Sequence, residues 1–396
     1  MSFERRAASD LAGHRGLTWL TSVTIILLAL LSQQCQSGLI RPILNRPTST
    51  LIGPDGIKLE ISAGPCLLHL SESCSNAKVK FYFVRDLEAE EFYLLDSTNP
   101  ASLDESGFDP SRPLKLLIHG YNGTLNNKPI NTIARAYIED GAAVNLVMLD
   151  WSAYTNIPCY PTAVINAWQA GRCTAKTLQE IAAWTGSPRQ FFSELHIVGF
   201  SLGAHVAGFT GSYVKPNRIS RITGLDPALP FFKSLNRAWK LDPSDARFVD
   251  VIHTNAGQLG KLGNVGHADF YVNGGSTQPA CNNSDRPAVC SHLLAPTYFA
   301  ESILESARGF FGYPCQSFLY YAAGWCDEKT AKKDSIVMGE YCPQGARGVF
   351  VVNTGKEAPY SLGIDLLEDE EEISDMEKTG LLLTTTIEPE DYLNGI

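Results

Sequence analysis

From Val79 to Val272 the chain carries a series of short apolar runs with little polar alternation. The β-rich stretch 79–85 opens the series. Runs at 115–119, 144–149, 195–199, 221–225, 248–254 and 269–272 follow. A strand with one wet face alternates apolar and polar residues, whereas a continuous apolar run suits a strand covered on both faces. Helical stretches lie between them, at about 128–140, 164–184 and 202–214. The alternation predicts an α/β domain, a mostly parallel central sheet flanked by helices. Such a sheet places its chemistry beyond the carboxyl ends of its strands. No repeat or low-complexity segment interrupts the chain before residue 365.

One junction in this pattern stands out. The run Leu195–Gly199 passes through Phe200-Ser201-Leu202-Gly203 into a helical stretch. A serine on a sharp strand-to-helix turn projects its hydroxyl above the sheet, and glycines on either side avoid collisions where strand and helix nearly touch. The new helix also aims its first amides at developing negative charge. Ser201 is therefore the candidate nucleophile. The bland alternative is a glycine turn, and the strand-before, helix-after context weighs against it.

A serine hydroxyl needs a base, and in this architecture the chain order is Ser, then Asp or Glu, then His. Of eight histidines, only His253, His267 and His292 follow a suitable acid. His205, one helical turn past Ser201, is expected to point into packing. The acid candidate is Asp226, at the end of the next apolar run and held by Pro227. On turn statistics alone an aspartate before proline merely opens a turn. Asp250 is the rival, but its apolar surroundings suggest a buried structural carboxylate. His253 ends a strand, and His267 suggests an imidazole bonded to backbone. His292 follows Cys290-Ser291, and a Cys281–Cys290 disulfide would hold it in place. The loop after His119-Gly120 turns over the sheet. The backbone N–H groups of Tyr121 and Leu202 are the candidate oxyanion donors. His119-Gly120 by itself is a plain strand-end turn.

The amino end sets the expected compartment. Arg5, Arg6 and Arg15 precede an apolar run, Leu17 to Leu31, and small and polar residues lead to Gly38. Basic start, apolar middle and small-residue exit read as a secretory signal over residues 1–37, cleaved after Ser37, followed by a lead-in over 38–65. The alternative is a membrane anchor, yet fifteen residues span about 22 Å against a hydrocarbon core of roughly 30 Å. Removal of Cys35 leaves nine cysteines, an odd number, so one should stay free or pair between chains. Cys281–Cys290 and Cys315–Cys326 are the expected bridges, with five cysteines unassigned. Sequons at Asn122 and Asn282 are glycosylation candidates on a secretory route.

Charge is concentrated at the other end. Residues 365–396 hold eleven acids and one base, 1 − 11 = −10, which is the whole net charge of −10. The remaining 31 bases and 31 acids cancel, so the body offers no basic field and no nucleic-acid partner is expected. Residues 356–396 read as an acidic, disordered tail.

These segments together resemble a known family. The motifs are Leu116–Tyr121, Leu149–Ser152, Ile197–His205, Gly224–Ala228, Val251–Thr254, Asp269–Gly275, Gln278–Cys281 and Cys290–His292, in the family's order. The chain resembles the animal pancreatic-type lipases, and within them the insect and wasp-venom phospholipase A1-like branch. The resemblance implies an α/β-hydrolase fold over residues 66–355, with nucleophile Ser201, acid Asp226, base His292 and oxyanion amides at Tyr121 and Leu202. It implies a secreted serine esterase that hydrolyses lipid esters through an acyl-enzyme, at aggregates or membrane surfaces, with no metal or organic cofactor. The Cys281–Cys290 loop corresponds to the family's lid, and eight residues are too few to cover a deep acyl groove, which favours phospholipase A1-like over triacylglycerol lipase behaviour. Two departures are visible. Leu294 stands where the family often has arginine, two residues after the histidine. After Thr354 only 42 residues remain, too few for the β-sandwich of larger lipases. No colipase partner is expected. The alternative function is a catalytically silent, lipid-binding or yolk-like protein; such relatives lose the serine, and this chain keeps it.

Overall fold

A computed structural model of the chain describes residues 60–63, 66–69, 73–74, 78–87, 89–126, 128–233, 237–304, 309–326 and 332–363. The leader or anchor read over 1–37, most of the lead-in and residues 364–396 of the tail read over 356–396 lie outside the described residues. Among the described residues, no helix is long and apolar enough to cross a membrane.

The strands, in chain order, are β1 (Glu60–Ala63), β2 (Cys66–His69), β3 (Lys80–Asp86), β4 (Glu91–Leu95), β5 (Leu114–Ile118), β6 (Asn145–Asp150), β7 (His196–Phe200), β8 (Arg221–Leu225), β9 (Phe248–His253), β10 (Ala268–Val272), β11 (Phe310–Cys315), β12 (Ile336–Met338) and β13 (Gly348–Val352). β1 and β2 form a separate hairpin. The other eleven make one sheet in the order 12-11-13-10-9-8-7-5-6-3-4. The seven strands from β13 to β6 run parallel, and antiparallel pairs close both edges. This is the α/β-hydrolase arrangement expected from the sequence.

The helices are α1 (Pro100–Ser106), α2 (Lys128–Glu139), α3 (Tyr160–Trp184), α4 (Pro188–Glu194), α5 (Leu202–Tyr213), α6 (Pro287–Glu301) and α7 (Phe318–Ala322). Two cores explain the continuous apolar runs. On one face Leu116, Ile118, Ile197, Ile222 and Val249 pack with Leu178 and Ile181 of α3 and Val206 and Phe209 of α5. On the other, Leu117, Val198, Leu225 and Phe270 pack with Ile130 and Ile133 of α2 and Ala295 and Phe299 of α6. Successive residues of one strand thus serve opposite cores, and each such aliphatic side chain contributes about 1.5–3 kcal/mol on burial.

Helix α3 begins at Tyr160, four residues before the stretch expected from periodicity. Pro161 lies in its first turn, where the missing N–H costs nothing. Two disulfides tie the hairpin region to this helix and its approach, Cys66–Cys159 and Cys74–Cys173. The two expected bridges, Cys281–Cys290 and Cys315–Cys326, are present. Among the described residues Cys342 is the odd cysteine, free and buried, and burial pushes its thiol up to about 12.

Candidate active site

The site stands where four neighbouring parallel strands end. Ser201 follows β7 with φ 57° and ψ −118°, the left-handed turn expected of a projecting nucleophile. Close packing makes glycine necessary on both sides. A Cβ on Gly199 would strike the backbone of Gly203 and Ala204, and one on Gly203 would strike the carbonyls of Ile118 and His119. Alanine is normally favoured over glycine within a helix by about 1 kcal/mol. Here the obstacles are backbone atoms that cannot step aside. Gly203→Ala is therefore expected to destabilise the protein by about 1–3 kcal/mol in urea denaturation.

The three residues selected from the sequence meet at this rim. His292 Nε2 lies 2.9 Å from Ser201 Oγ, and His292 Nδ1 lies 2.5 Å from Asp226 Oδ2. The geometry suits a ring that donates its Nδ1–H to the carboxylate and accepts the serine proton at Nε2. All three side chains are buried. The other carboxylate oxygen, Oδ1, accepts the backbone N–H groups of Thr254 and Asn255 at 3.0 and 3.1 Å. Gly260 abuts this carboxylate so closely that any Cβ there would overlap it. Asp226 itself sits at φ 39°.

His292 rides on α6, one turn from its start. The Cys281–Cys290 bridge pins this helix to the preceding loop. Phe200, the residue before the serine, packs its ring against the imidazole at 4.7 Å. Leu294, in place of the arginine frequent in the resembling family, is buried in the core shared with Phe200. Apolar packing thus supports the histidine from that side. Replacing Cys281 and Cys290 by serine is expected to cost about 2–3 kcal/mol by loop entropy, read from the shift in the urea midpoint.

The oxyanion loop follows β5. A Cβ on Gly120 would lie 2.9 Å from the Ser201 Cβ, so this loop passes directly over the serine. The Gly120 carbonyl accepts from the Gly123 N–H and the His119 ring Nδ1 at 3.1 and 2.9 Å. A trans peptide points its N–H opposite to its C=O. Fixing the Gly120 carbonyl therefore fixes the direction of the Tyr121 N–H. His119 is more than a strand-end turn: its Nε2 accepts the Trp151 N–H, and the Trp151 indole donates to the His119 carbonyl. Burial opposes the charge of neighbouring Asp150, yet bonds from Ser152, its backbone N–H at 2.9 Å among them, help hold that carboxyl down at about 2. Leu202 opens α5, so its N–H has no acceptor within the helix.

The rival residues have other employment. Asp250 is buried in a two-pronged ion pair with Arg221. His253 pairs with Asp269 at 2.9 Å and stacks on Tyr271. His267 accepts the Val249 N–H. His205 bonds the Ala228 carbonyl, accepts the Leu241 N–H and stacks on Phe232; burial pushes it down to about 3, so it stays neutral. Asn122 and Asn282 are exposed, one beside Tyr121 and one beside Cys281. Among the described residues no group of three or more His, Cys, Asp or Glu is placed to hold a metal ion.

Comparison with known proteins fits this geometry. The Lipase family profile matches residues 65–360. The chain belongs to the Lipase family. Within that family it is 33% identical over 262 residues to a Bos taurus protein named phospholipase A1 member A, covering 64% of this chain and 54% of the relative. It is 31% identical over 288 residues to pancreatic lipase-related protein 2 of Cavia porcellus, covering 70% of this chain and 64% of the relative. It is also 32% identical over 309 residues to a Homo sapiens protein named inactive pancreatic lipase-related protein 1, at 71% and 64% coverage. The chain spans about half to two thirds of the length of these relatives.

Proposed function

We propose that this chain is a secreted carboxylic ester hydrolase acting on lipids, with Ser201 as nucleophile, His292 as base and Asp226 as the acid that orients it. The carrying observation is the unbroken hydrogen-bond chain from Ser201 Oγ through His292 to Asp226. As Oγ attacks the ester carbonyl, His292 Nε2 takes the serine proton and Asp226 stabilises the charged imidazole. The amides of Tyr121 and Leu202 bind the oxyanion, and one such donor is worth about 3 kcal/mol of barrier. His292 then protonates the leaving alcohol, an acyl-Ser201 remains, and water attacks it with His292 again as base.

The surroundings support a lipid surface as the partner. Ile157, Phe231, Leu262, Val289 and Leu293 are 40–65% exposed. Each sits on a loop or helix that holds the site. Ile157 follows Asn156, whose carbonyl accepts the Tyr121 hydroxyl, and Phe231 packs on Tyr160, which packs on Tyr121. Leu262 is two residues past Gly260, and Val289 and Leu293 flank His292. Exposed apolar side chains on the elements that hold the triad offer a surface on which acyl chains can rest. The disulfide-closed lid has only eight residues between its cysteines, and a short lid leaves room for polar head groups. This favours phospholipid, in line with the name of the bovine relative. Four disulfides among the described residues suit an oxidising, extracellular setting.

The test is product analysis with purified protein on phospholipid vesicles, galactolipid dispersions and triacylglycerol emulsions. Fatty-acid release is expected, fastest from a polar lipid. A second reading, a silent lipid-binding protein, draws on the relative named inactive. Binding to vesicles with no release from any ester would support it and sink the hydrolase. Secretion is checked by sequencing the mature amino terminus: a start near Gly38 is expected, and retention of residues 17–31 would indicate an anchor.

A further inference from the structure

The triad's two halves come from distant parts of the chain. Asp226 is set by the end of β9, whereas His292 is set by α6, and something must fix one against the other. Gln278 is buried between them. Its Nε2 donates to the Thr254 carbonyl at 2.9 Å and the Val272 carbonyl at 2.8 Å, at the ends of β9 and β10. Its Oε1 accepts from Asn273 Nδ2 at 2.9 Å and from the Tyr298 hydroxyl at 3.2 Å. Its backbone N–H donates to Ser291 Oγ at 3.0 Å.

These five bonds have a common direction. Thr254 donates its N–H to Asp226 Oδ1 while its C=O is held by Gln278. Ser291 is the residue before His292, and Tyr298 lies on the same helix less than two turns further on. The primary amide is the only side chain of this length with two donors and two lone pairs at one end, and here all four are used. We infer that Gln278 is a positioning residue for the reaction: it sets the distance and angle at which the His292 imidazole meets Asp226 and Ser201. It touches neither substrate nor reacting atoms. The inference rests on the triad reading above.

The test uses the full chain with Gln278→Glu, which keeps shape but sets a carboxylate against two carbonyl oxygens, and with Tyr298→Phe, which removes a single bond to Oε1. For each, kcat, KM and the pH profile of kcat/KM are measured on a soluble short-chain ester, normalised to sites titrated by a serine-directed organophosphate. Displacement of the imidazole by a fraction of an ångström is expected to lower kcat about tenfold to a hundredfold for Gln278→Glu and less for Tyr298→Phe, with KM nearly unchanged. Looser coupling to Asp226 is expected to move the acid limb of the profile to lower pH. A merely structural role would reduce the number of titratable sites and the melting temperature, leaving kcat per site and the acid limb in place. That outcome in either variant that folds would overturn the inference. If instead Ser201→Ala retained activity, the triad reading itself would fail, and the two failures are thereby distinct. Should Gln278→Glu not fold, Tyr298→Phe alone carries the test: an unchanged kcat and acid limb would refute the role.

Discussion

Ser201→Ala is expected to reduce ester hydrolysis by about a millionfold in kcat, the scale seen when a triad nucleophile is removed. The substitution takes away one buried oxygen and leaves the turn at φ 57° in place. Folding should therefore change little, and substrate binding less. The variant should also fail to take up a serine-directed organophosphate, read as the missing mass increment on the peptide containing residue 201. Background hydrolysis should persist, because the Tyr121 and Leu202 amides can still polarise a carbonyl toward water. Such residual catalysis is commonly about a thousandfold or more over the uncatalysed rate. A variant with undiminished turnover would remove Ser201, and with it the acyl-enzyme.

The parts of this site that were legible in the sequence are those that chain order alone constrains. A serine between two glycines at the end of an apolar run announces a strained turn, because both neighbours would collide with backbone if they carried a Cβ. Asp226 was legible from its place at the end of the next apolar run. His292 needed more: three histidines satisfied the order, and the family motif together with the Cys281–Cys290 bridge separated it from His253. Its helix was not visible. Proline ordinarily marks a helix boundary, yet Pro287 sits in the first turn, and Pro296 only forgoes a bond to the His292 carbonyl.

The supporting residues were hidden for a different reason. Thr254 and Asn255 serve through backbone N–H groups, which no side-chain motif records. Gln278 acts through four partners scattered from residue 254 to 298, and only folding brings them together. His119 presented a strand-end pattern shared by many turns; its clamp on Gly120 depends on Trp151 at the end of the neighbouring strand. Edge strands such as β12, three residues long, carry too little pattern to register.

The second large effect concerns stability at the opposite end of the sheet. Arg221 opens β8 and Asp250 lies in β9, both buried. Arg221 Nε and Nη2 each reach an Asp250 oxygen at 2.8 Å, while Nη1 bonds the Glu340 carbonyl at 2.5 Å and Nη2 also bonds the Gly339 carbonyl at 2.6 Å. Thr223 adds a hydroxyl to the same carboxylate. Burial alone would lower the guanidinium pKa, but Asp250 outweighs it and raises that pKa, so the guanidinium stays charged. Arg221→Leu removes the partner and leaves a buried carboxylate and two carbonyls short of donors. A loss of about 3–5 kcal/mol is expected in urea or thermal unfolding. The double variant Arg221→Leu with Asp250→Leu should recover part of that loss, because the uncompensated charge goes with the second change. Equal destabilisation of single and double variants would refute this account. The same experiment separates stability from chemistry. Five residues of β8 at about 3.3 Å each place Arg221 roughly 16 Å from Asp226. The fraction of the single variant that remains folded should therefore hydrolyse ester at the wild-type rate per titrated serine.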